Sequence, residues 1–360
     1  MRSGGAGRNA SSGTRRGHRL RVAVVGLGYW GPNLVRNLLE LEGVDVACVC
    51  DPAAGAREKL RRRYPGIPAR TRVSSVFTDK NVDAVIIATP VGTHHALAAA
   101  ALSAGKHVFV EKPLAASSAD CIELIDLAAE RDLILMAGHT FLYSPPVNMI
   151  RDLILSGEVG EVYFISMNRV NLGIHQPDVS VVWDLAPHDF SILLYWLQES
   201  PSHVTAISRA CVMPDKPDVA FINLEFASGV ITQVQLSWLA PSKLRRTTVV
   251  GSRQMIVYDD TSLEPVRIFD AGVSSSDPTT FGEYQLSYRT GTISSPRVDI
   301  AEPLLLEMDD FCSSIRSHSV PRASAALGLE VVQVIEAVDR SLALGGERVA
   351  VGSLDAMSIA

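Results

Sequence analysis

Six residues, Gly26-Leu27-Gly28-Tyr29-Trp30-Gly31, limit what this chain can fold into more than any other stretch. They follow an apolar run at 20–25 and precede a helical pattern at 32–41, so three glycines stand where a strand turns into a helix. Each glycine answers a different demand there: Gly26 permits the tight turn, Gly28 lets backbone approach a pyrophosphate, and Gly31 allows helix and strand to pack closely. The amides that open the helix then face the anion. A second apolar run at 44–50 ends in Asp51, twenty residues after Gly31. A carboxylate at that point accepts a ribose 2'-hydroxyl and repels a 2'-phosphate. The unit therefore reads as a βαβ dinucleotide site, with NAD favoured over NADP.

The alternation continues through a helix at 54–64, a strand at 84–88, a helix at 96–104, a strand at 108–110, a helix at 118–131 and a strand at 133–137. Continuous apolar strands between helices mean a parallel sheet covered on both faces. Residues 20–143 are thus expected to form an N-terminal α/β domain with a Rossmann doubly wound parallel sheet. Beyond it the pattern changes: a helix at 147–155, a strand at 159–170, a helix near 187–197, then strands at 204–209, 219–226, 230–238, 245–250 and 254–258. Short turn signals at Ala227-Ser228-Gly229 and Gly251-Ser252 suit antiparallel hairpins. Residues 144–351 are expected to be an α+β substrate-binding and oligomerisation domain with a large, mainly antiparallel open sheet. The stretch 271–297 is rich in Ser, Thr, Gly and Asp and reads as a loop, either one that closes over or near a ligand or a disordered linker. Helices at 303–316 and 327–344 complete the fold, and 352–360 is a tail.

Composition narrows the function classes. At 360 residues and 47% hydrophobic, two cores are expected. No run is long enough to span a bilayer, and no apolar leader precedes the first strand, so the expectation is a soluble, cytoplasmic protein with no membrane partner. Residues 1–19 carry five arginines and no acid, with little to bury, and read as a disordered basic tail. Arg15-Arg16 is not followed by the hydrophobic region of a twin-arginine signal. Without this tail, 28 basic residues face 39 acidic ones, a body near −11 that argues against nucleic acid as a partner. Five cysteines, at 48, 50, 121, 211 and 312, have no metal-ligand spacing and are expected to be reduced structural thiols; no metal is expected.

Chemistry should gather beyond the strand ends, where open α/β sheets bind ligands. Val108-Phe109-Val110 runs directly into Glu111-Lys112-Pro113, and the whole chain has only six lysines, so Lys112 is a site candidate. Thr89, Pro90 and His94 leave an earlier strand and can line a nicotinamide ribose, although a Thr93 helix cap and turn chemistry at Pro90 account for them as well. In Trp183-Asp184-Leu185-Ala186-Pro187-His188-Asp189, Pro187 suits the first turn of a helix. Asp184 and His188 are four apart, close enough for the carboxylate to orient the imidazole, although an acid complementing the helix dipole and a satisfied buried histidine account for them as well. Arg169, Asn171 and His175 are candidates for holding a substrate's phosphates or hydroxyls, since Arg can pair with phosphate in bidentate fashion, although a solvated edge-strand charge accounts for Arg169 as well.

Taken in order and spacing, these elements resemble the glucose-fructose oxidoreductase/inositol dehydrogenase (Gfo/Idh/MocA) family of NAD(P)-dependent sugar oxidoreductases, from residue 20 to about 351. Gly28-Tyr29-Trp30-Gly31-Pro32-Asn33, Arg169-Val170-Asn171-Leu172-Gly173 and Trp183 to Asp189 look most like its UDP-N-acetylglucosaminuronate 3-dehydrogenase-like branch, which oxidises nucleotide-linked sugars at C-3. The resemblance implies that Gly26, Gly28, Tyr29, Trp30, Gly31, Asp51, Thr89, Pro90, His94, Glu111 and Lys112 surround NAD. It further implies that Lys112 meets both nicotinamide and the reacting hydroxyl, and that His188 is the acid/base candidate with Asp184 as its partner. Either Lys112 or His188 can be the base. A dehydrogenase of a free cyclitol or sugar, and a non-catalytic NAD-binding sensor, stand as alternatives. The family's open sheet commonly joins subunits, so a homodimer or homotetramer through the C-terminal sheet is expected.

Overall fold

The structure, a computed structural model, describes residues 19–173, 175, 179–276 and 285–352. Strands β1 (Leu20–Val25), β2 (Val44–Cys50), β3 (Ala69–Arg70), β4 (Ala84–Ile87), β5 (His107–Glu111) and β6 (Leu135–Gly138) alternate with helices α1 (Gly31–Glu40), α2 (Ala54–Arg63), α3 (Ser74–Phe77), α4 (His94–Ser103) and α5 (Ser118–Glu130). All six strands are parallel, in the order β3-β2-β1-β4-β5-β6. Ala84, Val85, Ile86 and Ile87 are wholly buried, as expected of a strand with helices on both faces. The strand order reverses between β1 and β4, which opens a crevice above their carboxyl ends. Both the glycine turn and the residues after β4 lie at that crevice.

The second layer is built from α6 (Pro145–Leu155), β7 (Val162–Leu172), α7 (Val181–Leu197), β8 (His203–Arg209), β9 (Val219–Glu225), β10 (Ile231–Ser237), β11 (Leu239–Gly251), β12 (Met255–Asp259), β13 (Val266–Ser276), β14 (Gln285–Ser294), α8 (Pro303–Ser317), α9 (Ala325–Ala343) and β15 (Val349–Ala350). Its nine strands run β14-β13-β12-β11-β7-β10-β9-β8-β15, with β7–β10 the parallel pair and the other pairs antiparallel. Hairpins form at the two turn signals, between β9 and β10 and between β11 and β12, whereas β7 inserts between β10 and β11. One face packs on α6, α7 and α9 around Trp196, Trp238 and Phe190. The opposite face leaves Phe164, Ile207, Phe221 and Ile231 exposed.

Three expectations need correction. The described part of 271–297 is mostly not a loop but the β13–β14 ladder, with Ala271 opposite Thr290 and Val273 opposite Tyr288, while 277–284 lie outside the described residues. Ser, Thr and Gly masked an outer ribbon, which needs no continuous apolar face. Helix α7 begins six residues before Pro187, so this proline sits in the second turn and takes an amide out of the helical ladder. Cys211 is exposed, while the other four cysteines are buried and all five are free thiols. The basic tail, apart from Arg19, and residues 353–360 lie outside the described residues.

Helices α8 and α9, expected in the 144–351 unit, also cover the first sheet. Leu304, Met308, Phe311, Cys312 and Ile315 of α8 share a core with β1, α1 and β2. On α9, Glu336 accepts from the Ser118 amide (2.8 Å) and hydroxyl (2.7 Å), holding the first turn of α5. Ala323 accepts from the Ala137 amide at 3.1 Å, and Ser324 bridges to Met136, so the segment before α9 seals the β6 edge.

Candidate active site

Two cavities meet the carboxyl ends of the parallel strands. One, of about 780 Å³, is lined by Gly26, Gly28, Asp51, Arg72, Thr89 and Pro90, among others. Gly26 has φ +94°, and a Cβ there would come within 2.3 Å of the Ala88 carbonyl oxygen across the switch point. A Cβ at Gly31 would meet the Gly26 oxygen at 2.1 Å, so only glycine lets α1 start this close to the turn. At Gly28 the case differs, since no protein atom lies within 4 Å of a Cβ position. That glycine leaves open space over the backbone, beside a helix start with Pro32 in its first turn and no side-chain cap. An uncovered glycine at the start of a helix suits a pyrophosphate. Asp51 accepts from the Leu27 amide (2.8 Å) and the Ala53 amide (2.7 Å), which fixes its carboxylate at the cavity wall with lone pairs left for ribose hydroxyls. The residues present fit a dinucleotide.

The second cavity, of about 640 Å³, joins the strand ends of the first sheet to α7, β11 and β12 of the second layer. Glu111, Lys112, Thr140, Phe141, His188 and Arg245 line it. Lys112 Nζ donates to the Asp184 carbonyl oxygen at 2.5 Å and to its Oδ1 at 3.3 Å. Trp238 Nε1 donates to the other carboxylate oxygen at 3.2 Å. Asp184 is therefore the partner of Lys112 and Trp238, and the expected Asp184–His188 pair is not made. One turn of helix separates these residues, but the Asp184 carboxylate is held by β5 and β10 neighbours instead. His188 packs edge-on to Phe141, with ring centroids 5.1 Å apart, and its buried Nδ1 has no hydrogen-bond partner. Burial, followed by the charges of Lys112, Arg169 and Arg245, pushes its pKa well down and keeps it neutral.

Several other candidates occupy unexpected places. Arg169 is buried, chelates Asp189 through three hydrogen bonds of 2.8–3.0 Å, and lies 4.7 Å from the Phe141 ring centroid. It supports the cavity wall and does not offer a free fork to a phosphate. His175 stacks on Trp238 at 5.2 Å with Nε2 3.6 Å from Asp218, and neither it nor Asn171 lines the cavity. His94 is buried between the Pro113 and Thr89 carbonyl oxygens, each 2.8 Å from a ring nitrogen. It ties the turn after β5 to the turn after β4 and lines neither cavity. Thr93 bonds Thr89 and Pro90 and does not cap α4. Tyr29 is 81% exposed and packs edge-on against Trp30, which lines the second cavity with Lys112. Among the described residues, the one group able to gather around a metal, His95, Asp120 and Glu123, lines neither cavity.

Sequence reasoning missed Thr140, Phe141, Arg245, Tyr258 and Asp260 at this cavity. The rule that singled out Lys112 also applies to the residues after β6, where His139-Thr140-Phe141 stands. Arg245 on β11 and its partner Asp260 in the turn after β12, 3.2 Å apart, come from the second layer, where no comparable rule operates.

A glycine turn at the switch point and an acid at the second strand's end define a dinucleotide-binding protein of the Rossmann type, with a lysine beside the neighbouring cavity. Residues 20–139 match the oxidoreductase family described as an NAD-binding Rossmann fold, and residues 147–257 match the GFO/IDH/MocA C-terminal domain. The chain belongs to the Gfo/Idh/MocA family. It is 27% identical to scyllo-inositol 2-dehydrogenase (NAD(+)) of Bacillus subtilis over 331 residues, covering 87% of this chain and 92% of that protein. It is 26% identical to UDP-N-acetylglucosamine 3-dehydrogenase of Acidithiobacillus ferrooxidans over 304 residues, 83% and 90% of the two. Two other relatives are matched over 60% and 61% of their length. Among solved structures, GenD2 from gentamicin A biosynthesis, in complex with NAD, superimposes with a TM-score of 0.79 at 24% identity over 97% of this chain and all of that one, a likeness of fold. No helix among the described residues is long and apolar enough to cross a membrane.

Proposed function

We propose that this chain moves hydride between NAD and C-3 of a nucleotide-linked hexose or hexuronate, as a 3-dehydrogenase or 3-ketoreductase of carbohydrate biosynthesis. The observation that carries the reading is the convergence of Lys112 and His188 on one cavity beside the dinucleotide crevice. The bound nicotinamide supplies the hydride acceptor or donor. Lys112, fixed by the Asp184 carbonyl and carboxylate, offers its remaining N–H to the substrate oxygen and stabilises alkoxide charge as the hydroxyl proton leaves. Neutral His188 faces the same oxygen and passes the proton on. Room for an attached group favours a two-part substrate: a depression of about 810 Å³ adjoins the cavity and shares Ser144, Pro146, Ser262, Pro265 and Pro303 with it.

A free cyclitol is the second reading, favoured by the extent of the match to the inositol dehydrogenase. UDP, dTDP and their hexose conjugates should raise the melting temperature of the NAD-loaded protein, because a ligand of the folded state stabilises it. A shift with inositol and none with any nucleotide would replace the first reading by the second. Lys112→Ala should lower hydride transfer by about 100-fold or more while NAD affinity stays within several-fold. Near-normal turnover would remove Lys112 from the chemistry.

A further inference from the structure

Two buried carboxyls behind the cavity have no part in the chemistry described so far. Glu111, the last residue of β5, is 8% exposed, lines the cavity, and makes no side-chain to side-chain hydrogen bond among the described residues. Its carboxyl lies over Gly138 of the neighbouring strand, where a Cβ would meet Oε2 at 3.2 Å, so the glycine makes room for it. Glu307 of α8 is fully buried; Oε2 accepts from the Thr140 hydroxyl at 2.7 Å, and Oε1 has no partner.

We propose that Glu111 is where the hydroxyl proton comes to rest, with Glu307 as a neutral acid buried beneath it. This rests on the reading of a hydroxyl-oxidising site. Neither residue nearest the reacting oxygen suits a resting proton. Lys112 already stands against two oxygens of Asp184, an arrangement made for an ammonium. His188 would become a buried cation beside the charges of Lys112, Arg169 and Arg245. Glu111 opens on the same cavity, and there a proton removes a buried charge. An N–H bond breaks on His188 or Lys112, an O–H bond forms on Glu111, and no electrons change hands. In reduction the proton returns by the reverse step.

The groups facing the pair are Lys112 and its amide just after β5, Thr140 after β6 and Asp310 on α8, while His139 and His188 feel the charge of the same Lys112. Burial raises Glu111 to about 7, Lys112 and its amide opposing. Burial and then the Glu111 charge push Glu307 well above the carboxylate range, so Glu111 is the member of the pair that ionises near neutrality.

The test uses NAD-loaded protein carrying glutamate labelled with 13C at the carboxyl, followed by NMR titration. One signal should titrate near pH 7 and vanish in Glu111→Gln, and a second should keep its protonated position through that range and vanish in Glu307→Gln. Titration of Glu111 at about pH 5 or below, in the ordinary carboxylate range, would overturn the proposal whatever the substrate proves to be. With UDP-hexoses that turn over, Glu111→Gln should lower kcat by about 100-fold and abolish the acid limb near pH 7, with NAD affinity held within about three-fold. Glu111→Asp, which keeps a carboxyl, should retain that limb. A Glu111→Gln enzyme with a wild-type pH profile would refute the role, and a titration near 7 without turnover on any sugar would count against the substrate reading alone.

Discussion

Asp189→Ala should destabilise the protein more than any change at its surface. The wild-type carboxylate is 3% exposed at its side chain and Arg169, the one cation paired with it among the described residues, is 7% exposed. Removing one partner leaves a guanidinium buried, with a nitrogen that already lacks a hydrogen-bond partner. Such losses cost about 3–5 kcal/mol, which at about 2–4 °C per kcal/mol for a layer of this size lowers Tm by about 10 °C. Arg169 also lies against Phe141, the ring that packs on His188, so the site should loosen with the core. Replacing both partners, as Arg169→Met with Asp189→Leu, should return stability to within about 1 kcal/mol of wild type, since a buried pair is often no better than apolar residues of similar size. Urea denaturation of Arg169→Met, Asp189→Leu and the double variant closes the cycle. A loss below about 1 kcal/mol in Asp189→Ala, or additive effects in the double variant, would show that Arg169 reaches solvent and that the pair is not a buried unit.

Three further outcomes follow from the geometry. Gly28→Ala should leave Tm nearly unchanged yet weaken NAD by about ten-fold or more, because its Cβ meets no protein atom, whereas Gly31→Ala should disrupt the turn itself; calorimetric titration beside a melting curve separates the two. The raised Glu111 pKa means that the folded state holds a proton the unfolded chain has lost, so stability falls by about 3 kcal/mol as pH rises from 4.5 to about 7. His139, buried and lowered to about 3, has the opposite sign and removes about 5 kcal/mol as pH falls from 6.5 to about 3. Glu111→Gln should therefore gain on wild type at pH 8 and not at pH 4.5, and equal differences at both would contradict the assignment. Phe164 pairs with Ile231 and Ile207 with Phe221 across the uncovered sheet face, so Ile231→Lys with Phe221→Glu should reduce the mass seen by light scattering, while an unchanged mass would put the subunit contact elsewhere.

The parallel sheet was legible because its strands are continuous apolar runs punctuated by glycine and helix patterns, and because the turn at Gly26 to Gly31 has few alternatives. Lys112 was legible for a related reason: a strand's end predicts where a side chain can reach a ligand. The β13–β14 ribbon escaped because an edge hairpin rich in Ser and Thr lacks the alternation that a half-buried strand shows. Arg169 and Asp189 look like surface charges in a sequence, since their partnership spans twenty residues and two elements. His188 and Asp184 sit at helical spacing, yet the neighbours that decide their contacts, Lys112, Trp238 and Phe141, come from elsewhere in the chain. Long-range neighbours set those hydrogen bonds, and local periodicity carries no trace of them.

The return of α8 and α9 to the first sheet has a consequence for the chain as it leaves the ribosome. When β6 emerges, the nucleotide-binding half has all its strands but lacks Leu304, Met308, Phe311 and the segment that seals its last edge. The missing helices end at residue 343, some two hundred residues later. At about 5–20 residues per second that gap lasts roughly 10–40 s. For that interval the nascent chain shows an open β-edge and an uncovered apolar helix face, the surfaces that chaperones bind, and it can complete its cofactor-binding half only after nearly all of the protein has been made.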